Sequence, residues 1–437
     1  MLLDDQPAYP MSCFFMIKLR GQFNVAVLES ALQTTLENHP LLTSLVTETN
    51  GQFYWRNTGK MPDVTRLPMD NERRFPASKG INLFSNPALK IAICNDNADP
   101  KAVELDGQTN VIFEVHHSAC DAIGLARFIE DVLCNYARQV APTGEYSAEV
   151  HRKLVEPDLL IRRGTFVQKR NELLQSLSQQ FLRFLRVWKF FVNRIIPLTP
   201  TKPDRNAPMP VADFPAILHR DLTAMETQNV QQKAKQLGIT INDLFLCATF
   251  LAMKSWREQH VTDKQRGQLR IAVPVNLRTP ADVRMPAANI VSMVFLDRKP
   301  EKIGNSQALY QGVCREMQHI KRHNFGWGFI RGLAVCQRIF GNVHKMIRQD
   351  RCWATATVTN LGRLFVDIPL PTRAGLVLIG ESLELIGIET SPPVRPWTAL
   401  GISVLTYADC MTINLHYDSG VLSRSDAQSI LDDIVTV

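Results

Sequence analysis

The sequence predicts an α/β protein (strands and helices mixed in α+β fashion) of two lobes, each a mixed sheet flanked by helices, and three observations carry that prediction. The chain has 437 residues, enough at about 150 residues per domain for two or three domains or two large lobes. Apolar runs of strand length alternate with stretches whose apolar residues recur at helical spacing, in both halves of the chain. Between the halves, a basic, aromatic-rich stretch gives way to Pro197, Pro200, Pro203, Pro208 and Pro210, the composition of a connector. The expected division is therefore 1–170, 171–210 and 211–437.

In the first lobe, Phe14–Leu19 reads as a strand. A turn at residues 21–24 leads into a helix on which Val27, Leu28, Ala31, Leu32 and Leu36 share one face. His39-Pro40 ends it, since proline disfavours helical angles in the residue before it. Leu41–Thr47 and Gly51–Trp55 form an expected hairpin, with its turn at Glu48–Gly51. Ala88–Ile93 and Asn110–Val115 are β-rich runs, and Ile123–Arg138 carries the apolar stripe of a helix.

The connector opens with an expected helix at Glu172–Ile196, where aromatic and aliphatic residues alternate with Arg183, Arg186, Lys189 and Arg194. We read it first as packed across both lobes with its charges in water. Peripheral contact with an anionic membrane surface is the second reading of the same pattern. Beyond it, His219–Leu222, Leu269–Val275, Ile290–Leu296, Ala354–Val358, Leu376–Leu385, Leu400–Leu405 and Met411–Tyr417 read as strands. Met225–Leu237, Asn242–Arg257, most of 305–349 and Ser423–Ile434 read as helices, with Asp243 placed to favour a helix dipole.

Composition narrows the function classes. Apolar residues make up 45% of the chain, which excludes a disordered chain, and 25 Pro with 22 Gly exclude a collagen-like one. The excess of 49 Lys+Arg over 42 Asp+Glu is compatible with a phosphate-bearing ligand, but lacks the basic clusters of a nucleic-acid binder. Nine scattered cysteines without a C-x-x-C spacing suit reduced thiols in a cytosol. The acidic start Met-Leu-Leu-Asp-Asp is unlike a signal peptide, and no run of about 18 apolar residues suggests a membrane span. A cytoplasmic monomer is the expectation.

The densest chemical signal is Glu114-Val115-His116-His117-Ser118-Ala119-Cys120-Asp121. A strand delivers two histidines to its C-terminal end, the place where open α/β sheets hold ligands. Alternation along a strand lets only one of them face a given cleft. An imidazole there can take and return a proton near neutral pH. Asp121 is placed to cap the next helix or to pair with an arginine. Metalloprotease, nucleophile-elbow and phosphate-loop motifs are absent, and Gly326-Trp327-Gly328 departs from the dinucleotide fingerprint at Arg331.

These residues resemble the H-H-x-x-x-D-G signature of the acyltransferase superfamily that includes peptide-synthetase condensation domains, polyketide-associated and wax-ester-type acyltransferases and chloramphenicol acetyltransferase. Further stretches are similar in the same order: Asn38-His39-Pro40-Leu41-Leu42, Leu237–Asp243, Val273-Pro274-Val275-Asn276-Leu277-Arg278, Asn289-Ile290-Val291-Ser292 and Val358-Thr359-Asn360-Leu361-Gly362. The resemblance implies two chloramphenicol-acetyltransferase-like lobes with a tunnel between them. It implies His117 as catalytic base and an Asp121–Arg278 salt bridge, expected to be bidentate. Thr359 and Asn360 become candidate oxyanion donors, and His116, Ala122 and Gly124 candidates for substrate contact. Ala122 stands where the signature has glycine, so the loop must use ordinary backbone angles.

The activity implied by the resemblance is acyl transfer to a hydroxyl or amine acceptor, with acyl-CoA or an acyl carrier protein's phosphopantetheine as co-substrate. No metal or redox cofactor and no nucleic acid are expected. The alternatives are a catalytically silent scaffold that binds a partner or lipid, and a thioester hydrolase.

Overall fold

The computed structural model describes every residue except 71, 97–103, 144–154, 164–189, 209, 211–212, 263–265, 305, 324, 342–349 and 437. Two mixed sheets form the framework. The first has seven strands in the order Thr372–Arg373, Leu376–Ile379, Leu383–Ser391, Ser12–Gly21, Gln108–His116, Leu89–Asn95, Val64–Pro68. The second has six: Val291–Arg298, Leu269–Asn276, Ala356–Arg363, Leu400–Tyr407, Cys410–Tyr417, Ile217–Leu222.

The first sheet is not built from the first half of the chain alone. Leu383–Ser391 pairs antiparallel with Ser12–Gly21, Phe14 opposite Ser391 and Gly21 opposite Leu383. Leu364, Phe365, Val377, Leu383 and Ile388 bury their side chains in the first lobe's core. Sheet membership thus does not follow the division at 211–437, because an apolar strand pattern does not say which sheet it joins. Leu376–Leu385, expected as one strand, is two: the chain turns at Gly380, whose φ of 69° is favoured by glycine. Ala356–Arg363 starts later and runs further than expected, which places Thr359 and Asn360 inside a strand.

Local chemistry explains the other boundaries. Asn24 caps the helix Val25–Leu36 by accepting from the Val27 amide at 3.0 Å. Asn50-Gly51, both at positive φ, make the two-residue turn of the Ser44–Asn57 hairpin. Thr240 and Asp243 form a reciprocal capping box at the start of the buried helix Ile241–His260. Met225–Leu237 is observed as Ala224–Gln236. The 305–349 stretch contains the helices Ser306–Arg322 and Phe325–Phe340. Val64–Pro68 is a strand that periodicity did not reveal.

Most of the expected Glu172–Ile196 helix, with Arg183, Arg186 and Lys189, lies outside the described residues. Its end is described: Phe190 is buried, and Ile196 and Leu198 pack into the second lobe's core. Cys13, Cys94, Cys120, Cys134, Cys247, Cys314, Cys352 and Cys410 are free thiols. Among the described residues no single helix is long and apolar enough to cross a membrane.

Candidate active site

Strand alternation separates the two histidines. His116, the last residue of its strand, pairs with Ser12 and is fully buried. Its Nδ1 accepts from the Ser118 hydroxyl at 2.7 Å and from the Ser118 amide at 3.2 Å, and Nε2 faces Asp5 Oδ2 at 3.4 Å. A substrate contact, expected for His116, is not what its surroundings serve: the ring holds the loop in shape and does not line the cavity. His117 points the opposite way and does line it.

That cavity measures about 310 Å³ and lies between the sheets, where Ala122, Asp121 and Thr359 also reach it. Its walls are mainly apolar, with Met11, Ile123, Pro274, Val291, Met293 and Leu361 among them. The His117 Nδ1 lies 3.2 Å from the Cys120 carbonyl, which can only accept. That contact puts the ring proton on Nδ1 and leaves the Nε2 lone pair free. Asn289 Nδ2, 3.1 Å from the same nitrogen, has its own acceptor in the His117 carbonyl. Burial lowers the His117 pKa below the ordinary 6.5, more strongly than the charge of Asp121 raises it. The imidazole is therefore uncharged at neutral pH. Burial pushes the neighbouring Cys13 and Cys120 thiols up, which keeps both protonated.

Asp121 organises the seam. Its Oδ1 accepts from the Gly124 amide at 2.8 Å and caps the helix Ala122–Val140. Its Oδ2 accepts from Arg278 Nη1 at 2.9 Å and from the Ile290 amide at 2.7 Å. The expected bidentate pair is monodentate, because the cap already occupies Oδ1. The second arm of the guanidinium, Nη2, donates instead to the Ala288 carbonyl at 2.8 Å. Fully buried His39 holds the same segment from the other side: its Nδ1 accepts from the Ala287 amide at 2.9 Å, and Nε2 lies 3.1 Å from Asp131. Residues 287–290 of the second lobe are thus clamped by polar groups of the first.

Gly124, expected near substrate, packs against that clamp. A Cβ there would come within 2.8 Å of the Ala288 carbonyl oxygen and 2.9 Å of Cys120 Sγ. Ala122 keeps helical angles and borders the cavity. Of the oxyanion candidates, Thr359 lines the cavity, and its hydroxyl makes no hydrogen bond among the described residues. Asn360 does not reach it: its Oδ1 accepts from the Gly362 amide at 2.8 Å, across the bulge where the strand's register slips. Sequence reasoning missed the partners of Asn289 and also Arg163, whose Nη2 donates to the Ser118 carbonyl at 2.6 Å. A lone arginine in a short helix carries no signal of such a contact.

Among the described residues one group could hold a metal ion, His219, Asp221 and Glu389. None of the three lines the cavity, and Lys18 and Arg74 already pair with Glu389.

Comparison with known proteins bears on the fold. No protein-family profile matches the sequence, and no curated protein matches it. Solved structures do. The first condensation domain of the CDA synthetase superposes with a TM-score of 0.65 at 14% identity, covering 100% of this chain and 91% of that one. The starter condensation domain of rhizomide synthetase, in complex with C8-CoA and Leu-SNAC, gives 0.63 at 15% identity over 100% and 89%. The trichothecene 15-O-acetyltransferase TRI3 from Fusarium sporotrichioides gives 0.67 at 12% identity over 99% and 91%. With two mixed sheets, three strands of the second half in the first sheet and a cavity between the sheets, the chain has the condensation-domain-like, chloramphenicol-acetyltransferase-like fold.

Proposed function

We propose that this protein moves an acyl group from a thioester, acyl-CoA or an acyl carrier phosphopantetheine, to a hydroxyl or amine acceptor, with His117 as general base. One observation carries the reading. His117 lines the interlobe cavity while its Nδ1 faces the Cys120 carbonyl, an arrangement that favours the tautomer with an unprotonated Nε2.

That placement supports the following sequence of steps. Nε2 removes the acceptor's proton as its oxygen or nitrogen bonds to the thioester carbonyl carbon. The carbonyl electrons move onto oxygen, where the Thr359 hydroxyl is the candidate donor. When the carbonyl re-forms, the C–S bond breaks and the thiolate takes the proton back from Nε2. Asp121 and Arg278 position the loop and touch no reacting atom. The structural neighbours support this reading, as condensation domains and an acetyltransferase, one of them solved with C8-CoA.

The test is thiol release from a panel of acyl-CoA and acyl-pantetheine thioesters, with and without alcohols and amines. Release that requires an acceptor and yields the acylated acceptor supports transfer. Acceptor-independent release identifies a hydrolase, and no release from any donor favours a silent scaffold.

A further inference from the structure

The cavity has depth and an end, and both can be read from strand register. On the strand Val291–Arg298 the burial alternates: Val294 and Leu296 join the second core, while Val291, Met293 and Phe295 face the cavity. Their partners on the next strand are Asn276, Pro274 and Ala272. Val291 adjoins Ile290, whose amide is bonded to Asp121, so it marks the catalytic end. Phe295 is four residues further along, about 13 Å at ~3.3 Å per residue. The lining along this stretch is mainly apolar, with Ser292 and Thr357 also bordering the cavity and Thr357 in register with Ala272.

The next layer closes the slot. Arg270 and Asp297 are opposite each other in register, and the guanidinium is fully buried. Its Nε and Nη2 bond Asp297 at 2.6 and 2.8 Å, and Nη1 bonds the Phe190 carbonyl at 3.1 Å. The same cation lies under the Phe190 and Phe295 rings, at 5.1 and 5.4 Å from their centroids. Phe329 and Trp353 complete the end wall, their ring centroids 5.3 and 5.1 Å from that of Phe190. The wall is thus a buried, ion-paired cation against the Phe190 and Phe295 rings, with Phe329 and Trp353 packed on Phe190.

We infer that the slot is a subsite for an unbranched hydrocarbon chain, with its reactive end at His117 and its length limited by Phe295 and Phe329. The inference deepens the acyl-transfer reading and rests on it for what the chain carries: the acyl group of the donor or the body of the acceptor.

The experiment separates the two ideas. Saturated fatty acids from butyrate to palmitate are titrated into the wild-type protein by calorimetry, with no thioester present. Affinity should rise about fourfold per methylene, the value of burying a CH₂ group, and then stop rising at one chain length. Phe329→Ala should move that break to longer chains and Met293→Trp to shorter ones. Flat affinity across the series, or a break that neither substitution moves, overturns the inference. Turnover with an acyl-CoA series, then with an alkanol series and acetyl-CoA, assigns the chain to donor or acceptor by which one repeats the break. A break in fatty-acid binding without any turnover would leave the subsite standing and remove the acyl-transfer reading. Turnover with no length dependence in either series would do the reverse.

Discussion

Arg278 Nη1 meets Asp121 Oδ2 at 2.9 Å across the interface of the two lobes, and the same oxygen accepts from the Ile290 amide at 2.7 Å. One carboxylate thereby joins the helix that follows the histidine pair to the strand region that faces it. It shares the seam with His39, which accepts from the Ala287 amide, and with Asn289, which donates to the His117 carbonyl.

Replacing Asp121 by alanine leaves the Gly124 and Ile290 amides and a largely buried guanidinium without their acceptor. Breaking such a pair should lower unfolding free energy by about 3–5 kcal/mol. Denaturant midpoints of Asp121→Ala, Arg278→Ala and the double variant should be strongly non-additive, the second substitution costing little after the first. Additive losses would show that the two side chains act independently.

The pH dependence of turnover has a definite sign. Burial holds the His117 pKa below 6.5, so the active, uncharged form persists to lower pH than in a free histidine. The acid limb of kcat/KM should lie below pH 6.5 and fall about tenfold per pH unit beneath it. A limb centred above 6.5 would mean that the imidazole is stabilised in its charged form.

Gly124→Ala should destabilise, although alanine is the better helix former by about 1 kcal/mol. The added methyl would press on the Ala288 carbonyl and Cys120 Sγ at under 3 Å. Thermal unfolding should shift down and kcat should fall with it, as the clamp on residues 287–290 opens. An unchanged or raised midpoint would show that the seam yields freely.

His416 supplies an acid-sensitive element in the second sheet. It is buried beside Phe14 and Phe214, donates from Nδ1 to the Pro392 carbonyl at 2.8 Å, and has its pKa lowered from 6.5 to about 4 by burial. The unfolded chain binds this proton near 6.5 and the folded chain refuses it until about 4. Its contribution to stability is therefore complete above pH 6.5 and lost as pH falls from 6.5 to 4, to a total of about 3 kcal/mol. Chemical denaturation of His416→Phe across that window should show a correspondingly shallower decline. Parallel pH profiles for both proteins would contradict this placement.

Much of this was legible in the residue pattern, and the rest had a physical reason for being hidden. The opposed directions of His116 and His117 follow from strand alternation, and Asp121 was recognisable as a cap or an arginine partner from its distance to the histidines. Asp121 performs both roles, which is why the pair with Arg278 is monodentate. Only the first three residues of Leu383–Ser391 fell within the expected strand Leu376–Leu385, and its place in the first sheet was hidden because its pairing with Ser12–Gly21 spans most of the chain. Gly124 and Asn360 fit a functional motif, yet close backbone approach and a bulge decide what they do. Arg270 looked like any strand arginine; only the register opposite Asp297 shows it beneath an aromatic wall.

The most direct measurement is acylated product formed by His117→Ala beside the wild type, with donor and acceptor both saturating and folding checked by thermal unfolding. The account predicts a fall of about 10²–10⁴ in kcat with the melting curve largely preserved. A folded His117→Ala protein that turns over at the wild-type rate would contradict it.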